Sequence, residues 1–227
     1  MNIAALELVC RDLDGQRRFY RELLGLPLLE TSEAGFTVQI GSTRLRFQQG
    51  DSAAGVYHFA FNIPDNQLAA ARDWLSARTL LLKKGEQDEF EGSPDWNARM
   101  LYFGDADGNI LECVARQRLK NASAAPFGPA SLLNISEIGY PVADVPRTCR
   151  RLKRELGLTP FGKPSNTFAP LGDDHGLIIV VPLGRSWFPT NEVASALPLK
   201  ITLSGVHPKL LEEDAQPYVI SGPLSSR

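Results

Sequence analysis

The sequence predicts an α+β fold built from repeated βαβββ modules, and three observations lead there. A short apolar run opens seven residues before an aspartate suited to capping a helix, at Asp12, Asp65 and Asp144, and the offset positions hold Ala5, His58 and Glu137. The first and third aspartates each stand twelve residues before the first leucine of a Leu-Gly-Leu stop, at Leu24 and Leu156. Each helix pattern is followed by short alternating runs separated by Gly, Ser and Asp turn signals, as expected for strands.

In the first module, Ala5 to Val9 reads as a strand, and Leu13, Phe19, Tyr20, Leu23 and Leu24 recur at helical spacing between the Asp12 cap and Gly25. Leu28 to Glu30, Phe36 to Ile40 and Arg44 to Gln48 follow as strands. In the second, Val56 to Ile63 leads through Asp65 into a helix carrying Leu68, Ala71, Trp74 and Leu75. Leu80 to Lys84, Ala98 to Phe103 and Ile110 to Ala115 complete it, the last two joined by the Asp105-Ala106-Asp107-Gly108 turn. A third, partial module begins at Ile135, caps its helix with Asp144, and continues through Thr167 to Ala169 and Leu177 to Val181. Leu199 to Leu203 and Tyr218 to Ile220 read as added strands.

Asn121 to Ala130 is dominated by Ser, Ala, Pro and Gly and has the composition of a linker. The expected organisation is a domain over 1–118, a linker over 119–131 and a third module with extra strands over 132–227. One βαβββ unit leaves a sheet face unburied, so modules must pack in pairs. The first two are expected to pair into a curved mixed sheet around a cleft. The incomplete third module leaves a sheet edge that a second subunit could cover, making a homodimer.

The composition, 43% hydrophobic and 22% charged over 227 residues, is that of a globular protein. A formal net charge of −2 offers nucleic acid or an anionic membrane no electrostatic attraction. No apolar run is long enough to span a bilayer and no secretory leader is evident, so the expected compartment is the cytoplasm. Cys10, Cys113 and Cys149 form no CxxC pair and suit packed thiols better than disulfides or a thiolate metal site. Phosphate-binding glycine loops and the nucleophile-elbow motif are absent from the sequence.

Among single residues, His58 heads an apolar strand, where an imidazole is either a satisfied core group or a ligand. Glu112 lies in the apolar run Ile110 to Ala115, where an inward carboxylate needs a cation or a metal. Asn62 shares the face of His58 and could bond a substrate or cap the next turn. Trp96 and Asn97 sit in a Pro-Asp-Trp-Asn loop able to cover a pocket. Arg185 to Pro189 combines a cation with Trp187 and Phe188 and could reach a neighbouring pocket, a second subunit, or only turn a corner.

Three segments, Arg11 to Leu26, His58 to Leu75 and Tyr102 to Val114 with its DxDGNxxE pattern, resemble the vicinal oxygen chelate superfamily. That group includes glyoxalase I, extradiol ring-cleaving dioxygenases and bleomycin-resistance proteins. The match covers about the first 116 residues and weakens beyond them. The resemblance implies a divalent metal held by the first and last strands of paired modules, here at Ala5, Arg46, His58 and Glu112. Only His58 and Glu112 are ligand types. Glu7, two residues along from Ala5, is the expected third ligand, and Arg46 either pairs with Glu112 or anchors an anionic substrate, alongside Asn62, Trp96 and Asn97. The implied activity is dioxygenase-like, on a small substrate with vicinal oxygens, with Fe(II) the first expectation and Mn, Ni or Zn the alternatives. The competing readings are a metal-free binding protein like those of bleomycin resistance and a glyoxalase-like lyase or isomerase.

Overall fold

The computed structural model describes residues 1–50, 55–207, 209–212 and 216–222. The first module comprises β1 (Asn2–Cys10), α1 (Leu13–Arg18) widened into a π turn over Phe19–Leu23, β2 (Leu28–Ser32), β3 (Gly35–Ile40) and β4 (Thr43–Gln49). The second comprises β5 (His58–Ile63), α2 (Leu68–Ser76), β6 (Leu81–Leu82), β7 (Glu89–Glu91), β8 (Ala98–Gly104) and β9 (Ile110–Arg116). The third has β10 (Asn134–Val142), α3 (Val145–Leu156), β11 (Ala169–Asp173) and β12 (Gly176–Pro182). A reduced fourth consists of β13 (Leu199–Ser204), β14 (Leu210–Glu212) and β15 (Tyr218–Ser221).

Asp12 and Asp144 cap as expected, accepting from Gly15 N at 2.8 Å and Arg147 N at 2.9 Å. Asp65 does not. The turn Pro64–Gln67, closed by Gln67 N donating to Pro64 O at 3.0 Å, delays α2 until Leu68. The third-module strand expected over Thr167 to Ala169 starts at Ala169, because Ser165 N donates to Phe168 O at 2.8 Å and turns the chain there.

The α+β class and the repeated module hold, but the modules do not pair in chain order. One sheet has the order β14-β15-β13-β1-β4-β3-β2, uniting the first and fourth modules. The other runs β11-β12-β10-β5-β9-β8-β6, with β7 also on β8, and unites the second and third. The expected pairing of the first two modules in one sheet is thus replaced. Alternation says which face of a strand is buried but not which edge it pairs along, so chain order was a poor guide. Within the chain β1 pairs with β13 and β10 with β5, and the edge strands of the two sheets are β14, β2, β11 and β6.

Both sheets are made the same way. The first strand of a module lies parallel to its last, as in β1·β4, β5·β9, β10·β12 and β13·β15, and two first strands join antiparallel at the centre. The register of β1 on β13 shifts between Ile3 and Ala5, and that of β10 on β5 shifts between Ile135 and Glu137. Equivalent bulges at Ala4 and Ser136 therefore precede the offset positions Ala5 and Glu137.

The DxDGN turn locks the first module onto the second. Buried Asp105 accepts from Gln16 Nε2 at 2.8 Å, Tyr20 Oη at 2.9 Å and Asn109 Nδ2 at 2.8 Å, while Asn109 Oδ1 receives Tyr57 N at 2.8 Å. The two sheets also meet where the β3–β4 turn reaches β10. Ser42 N donates to Leu133 O at 3.0 Å, and Thr43 Oγ1 donates to Ile3 O at 2.7 Å while accepting from Ile135 N at 3.0 Å. Gly41, at φ +50°, makes this approach feasible, since a Cβ there would lie 1.7 Å from Leu133 O.

Gly41→Ala is expected to cost about 3 kcal/mol or more by chemical denaturation, from positive φ plus a clash with backbone. Gly85→Ala, at φ +63° but with nothing within 4 Å of the added carbon, should cost about 1 kcal/mol. Equal losses would show that close approach between the sheets is not the constraint.

Candidate metal centre

β5 divides its residues between two environments. Phe59, Phe61 and Ile63 enter the main core, whereas His58, Ala60 and Asn62 face the other way. On that second face, register sets a row across three strands, with Glu137 of β10 opposite Ala60 of β5 and Ala60 opposite Glu112 of β9. Tyr102 of β8 stands next in the row, beside Glu112. The small Ala60 side chain leaves room for both carboxylates to lean over it, and His58 lies two residues along the same face. Donor atoms of His58, Glu112 and Glu137 all fall within 4.8 Å of one another, and all three residues are buried.

His58 Nδ1 lies 3.1 Å from the carbonyl oxygen of Ile110. A carbonyl only accepts, so Nδ1 carries the hydrogen and Nε2 presents its lone pair, 3.6 Å from Glu112 Oε2. Burial pushes the imidazole down to about 4, and the nearby Arg185 cation adds to that effect. His58 is therefore neutral at physiological pH, the form that ligates a metal. Trp187 packs against its ring with centroids 4.9 Å apart. Gly139 permits this, since a Cβ there would meet the indole at 2.7 Å.

The carboxylates are perturbed the other way. Burial, then the charge of Glu137, holds Glu112 well above the usual carboxylate range, against a hydrogen bond from Tyr102 and the attraction of Arg116. Glu137 is also raised by burial, opposed by Arg116. Arg116 is completely buried: Nη2 donates to Glu137 Oε1, Nε donates to Asn62 Oδ1 at 3.1 Å, and Nη1 is 3.6 Å from Asp174 Oδ1. Its guanidinium also lies over Trp96, 5.3 Å from the ring centroid.

These groups floor a cleft of about 620 Å³, walled by Phe90, Trp96, Met100, Phe168, Ile179 and Trp187, with Arg185 and Phe188 further out. One imidazole and two carboxylates suit a borderline or hard divalent cation. A cation between the carboxylates would offset the repulsion that burial amplifies, and Arg116 engages only one oxygen of Glu137. The residues present thus fit the metal that the fold implies.

Of the residues expected from sequence, His58 and Glu112 come together in this cleft and Trp96 forms part of its wall. Glu7 does not join them. It lies on the other sheet, with Lys200 Nζ 3.7 Å from its Oε2. Glu137 of the third module occupies the third place instead, since module two shares its sheet with module three. Arg46 likewise sits on the other sheet, 3.1 Å from Glu30 Oε2, and cannot pair with Glu112. Asn62 serves Arg116 rather than the cleft, and its Nδ2 donates to Asp174 O at 2.9 Å. Asn97 is exposed at φ 46° and accepts from Gln117 N through its carbonyl, outside the cleft wall. Sequence reasoning assigned no site role to Arg116 or Tyr102. Glu137 was visible on the seven-residue offset but had no partner module.

The register explains why only one sheet carries donors. His58 is opposite Ile110, two residues before Glu112; Glu137 is opposite Leu177, two before Ile179. The four equivalent positions are therefore His58, Glu112, Glu137 and Ile179. On the other sheet, Ala5 opposite Arg44 and Lys200 opposite Val219 give Ala5, Arg46, Lys200 and Ser221. That set holds no carboxylate and no imidazole.

The chain has the vicinal oxygen chelate fold. A candidate dioxygenase from Bacillus subtilis superposes with a TM-score of 0.65 at 14% identity, over 98% of this chain and 85% of that one. A glyoxalase I variant from Zea mays gives 0.61 at 14% identity, over 97% and 93%. Both alignments run through all four modules. Neither protein-family models nor curated proteins yield a match to this sequence. Among the described residues no helix is long and apolar enough to cross a membrane.

The raised carboxylate has a measurable consequence in metal-free protein. Above the ordinary value of 4.5 the folded chain retains the Glu112 proton that the unfolded chain releases, so stability falls as pH rises. His58 acts oppositely: neutral down to about 4 when folded, it costs stability as pH falls below 6.5. Glu112→Gln should therefore raise the melting temperature of metal-free protein by several degrees at about pH 8, on the scale of 2–4 °C per kcal/mol. It should leave the acid-side loss in place. A lower melting temperature at about pH 8 would mean that Glu112 is ionised and well paired.

Proposed function

We propose that this protein is a metal-dependent enzyme acting on a small substrate with vicinal oxygens, bound between the second and third modules. The supporting observation is the convergence of donor atoms of His58, Glu112 and Glu137 within 4.8 Å of one another in an aromatic cleft. His58, Glu112 and Glu137 would hold the ion, which when bound supplies a Lewis acid for adjacent substrate oxygens. The chain's own groups set the rest. Ile110 O fixes the His58 tautomer, Arg116 orients Glu137, and Tyr102, held protonated by burial, directs its hydroxyl at Glu112. Trp96, Phe168 and Trp187 exclude water and favour a flat, unsaturated substrate.

Extradiol ring cleavage is the finer reading, favoured by the aromatic walls and by the candidate dioxygenase among the similar structures. A lyase or isomerase is the second. Its support is the donor set itself, because one histidine with two carboxylates departs from the two-histidine, one-carboxylate face associated with non-haem Fe(II). That oxygen-rich set suits Mn(II) or Zn(II), and a second carboxylate beside the substrate can accept a proton.

Untagged protein reconstituted anaerobically with Fe(II), Mn(II), Ni(II) or Zn(II) should retain about one equivalent of one of them by elemental analysis. His58→Ala and Glu137→Ala should each reduce retention by about 10-fold or more. Oxygen uptake with catechols would select the dioxygenase, and metal-dependent turnover without oxygen the second reading. Retention below about a tenth of an equivalent for every metal would leave a metal-free binding protein.

A further inference from the structure

Arg185 is a cation without a counter-ion in a cleft lined largely by aromatic side chains and holding three carboxylates. It follows β12 on the segment that carries Trp187 over His58, and it forms part of the cleft wall. Its Cζ lies 5.1 Å from the centroid of Phe168, so the guanidinium is stacked in place. Among the described residues no carboxylate lies within ion-pair distance of it and its side chain makes no hydrogen bond; only its backbone does, through N to Pro182 O and O from Ala194 N. Burial lowers its affinity for a proton, and no neighbouring acid offsets that. Arg116 of β9, by contrast, is engaged by Glu137 and Asn62 through hydrogen bonds and lies 3.6 Å from Asp174. Glu91 also borders the cleft but is solvated.

We propose that Arg185 determines the specificity of this cleft by receiving the carboxylate of a planar aromatic substrate whose adjacent oxygens face His58, Glu112 and Glu137. The placement of the vicinal oxygens rests on the metal-centre reading; the carboxylate contact does not. A guanidinium offers paired donors matched to a carboxylate, and partial burial strengthens the bond relative to water. A ring between the carboxylate and the oxygens would lie along Trp187 and Phe168. The substrate class is therefore aryl carboxylates with neighbouring oxygens, and neutral catechols are the weaker ligands.

The test uses two ligand pairs and calorimetry. On metal-free protein, naphthoate should bind more tightly than its neutral analogue naphthalenemethanol. Arg185→Gln should weaken naphthoate by about 10- to 100-fold, the range of a charge-assisted hydrogen bond, and leave naphthalenemethanol within about twofold, which also shows the cleft intact. Arg185→Lys should fall between. On metal-loaded protein the same pattern is expected for protocatechuate against catechol. The proposal is overturned if naphthoate binds the wild type no better than naphthalenemethanol, if neither binds, or if Arg185→Gln affects both alike. If Arg185-dependent naphthoate binding persists while the protein retains no metal, the metal reading fails and the carboxylate site stands.

Discussion

The structure turns on a charge imbalance buried in one sheet. Glu112 and Glu137 flank Ala60 on the same face, and a single guanidinium, Arg116, serves both. With His58 neutral, the ionised set carries one negative charge too many for a site with almost no solvent contact. Two remedies exist, a proton on Glu112 or a cation between the carboxylates. The surroundings are arranged to keep both available. Tyr102 donates to Glu112, Ile110 fixes the imidazole, and Arg116 occupies one Glu137 oxygen, so the remaining carboxylate oxygens are those that a proton or a cation would meet.

The same strand pattern occurs twice in the chain, and only one occurrence brings an imidazole and two carboxylates together. Both sheets join two first strands antiparallel, place a bulge before the offset residue, and run each first strand parallel to a last strand. In one sheet the four facing positions hold an imidazole, two carboxylates and Ile179. In the other they hold Ala5, Arg46, Lys200 and Ser221, with Glu7 and Glu30 engaged in ion pairs at 3.7 and 3.1 Å. Cations there satisfy neighbouring acids, so that sheet provides structure where its counterpart provides donors.

Much of this was legible in the sequence, and its limits have a physical origin. Strand alternation and helix caps gave the element order, and the seven-residue offset picked out His58 and Glu137 together with the silent Ala5. Nothing local told which edges would meet, because backbone edges are chemically alike and β5 could pair with β1 or β10. The wrong choice brought Glu7 and Arg46 toward His58 on paper. The right one puts Glu137 in their place, from a module that the sequence reading kept apart, while Arg116 ends the same strand as Glu112. Trp187 was legible as an aromatic in a loop, but the vacancy it fills is made by Gly139, whose missing side chain carries no pattern of its own.

The most recognisable motif, DxDGN, lies outside the cleft. Asp105 and Asn109 spend their polar atoms on Gln16, Tyr20 and Tyr57, docking the first helix onto the β8–β9 hairpin. In this chain the motif secures the docking of one module onto the next and takes no part in the cleft. The candidate site lies elsewhere, at four register positions and beneath the loop that adjoins them. Here those are one imidazole, two carboxylates and an apolar residue, beneath a loop that delivers an indole and an uncompensated guanidinium. The proposed function therefore rests on positions with no fixed sequence signature, because a fold by itself does not assign a reaction.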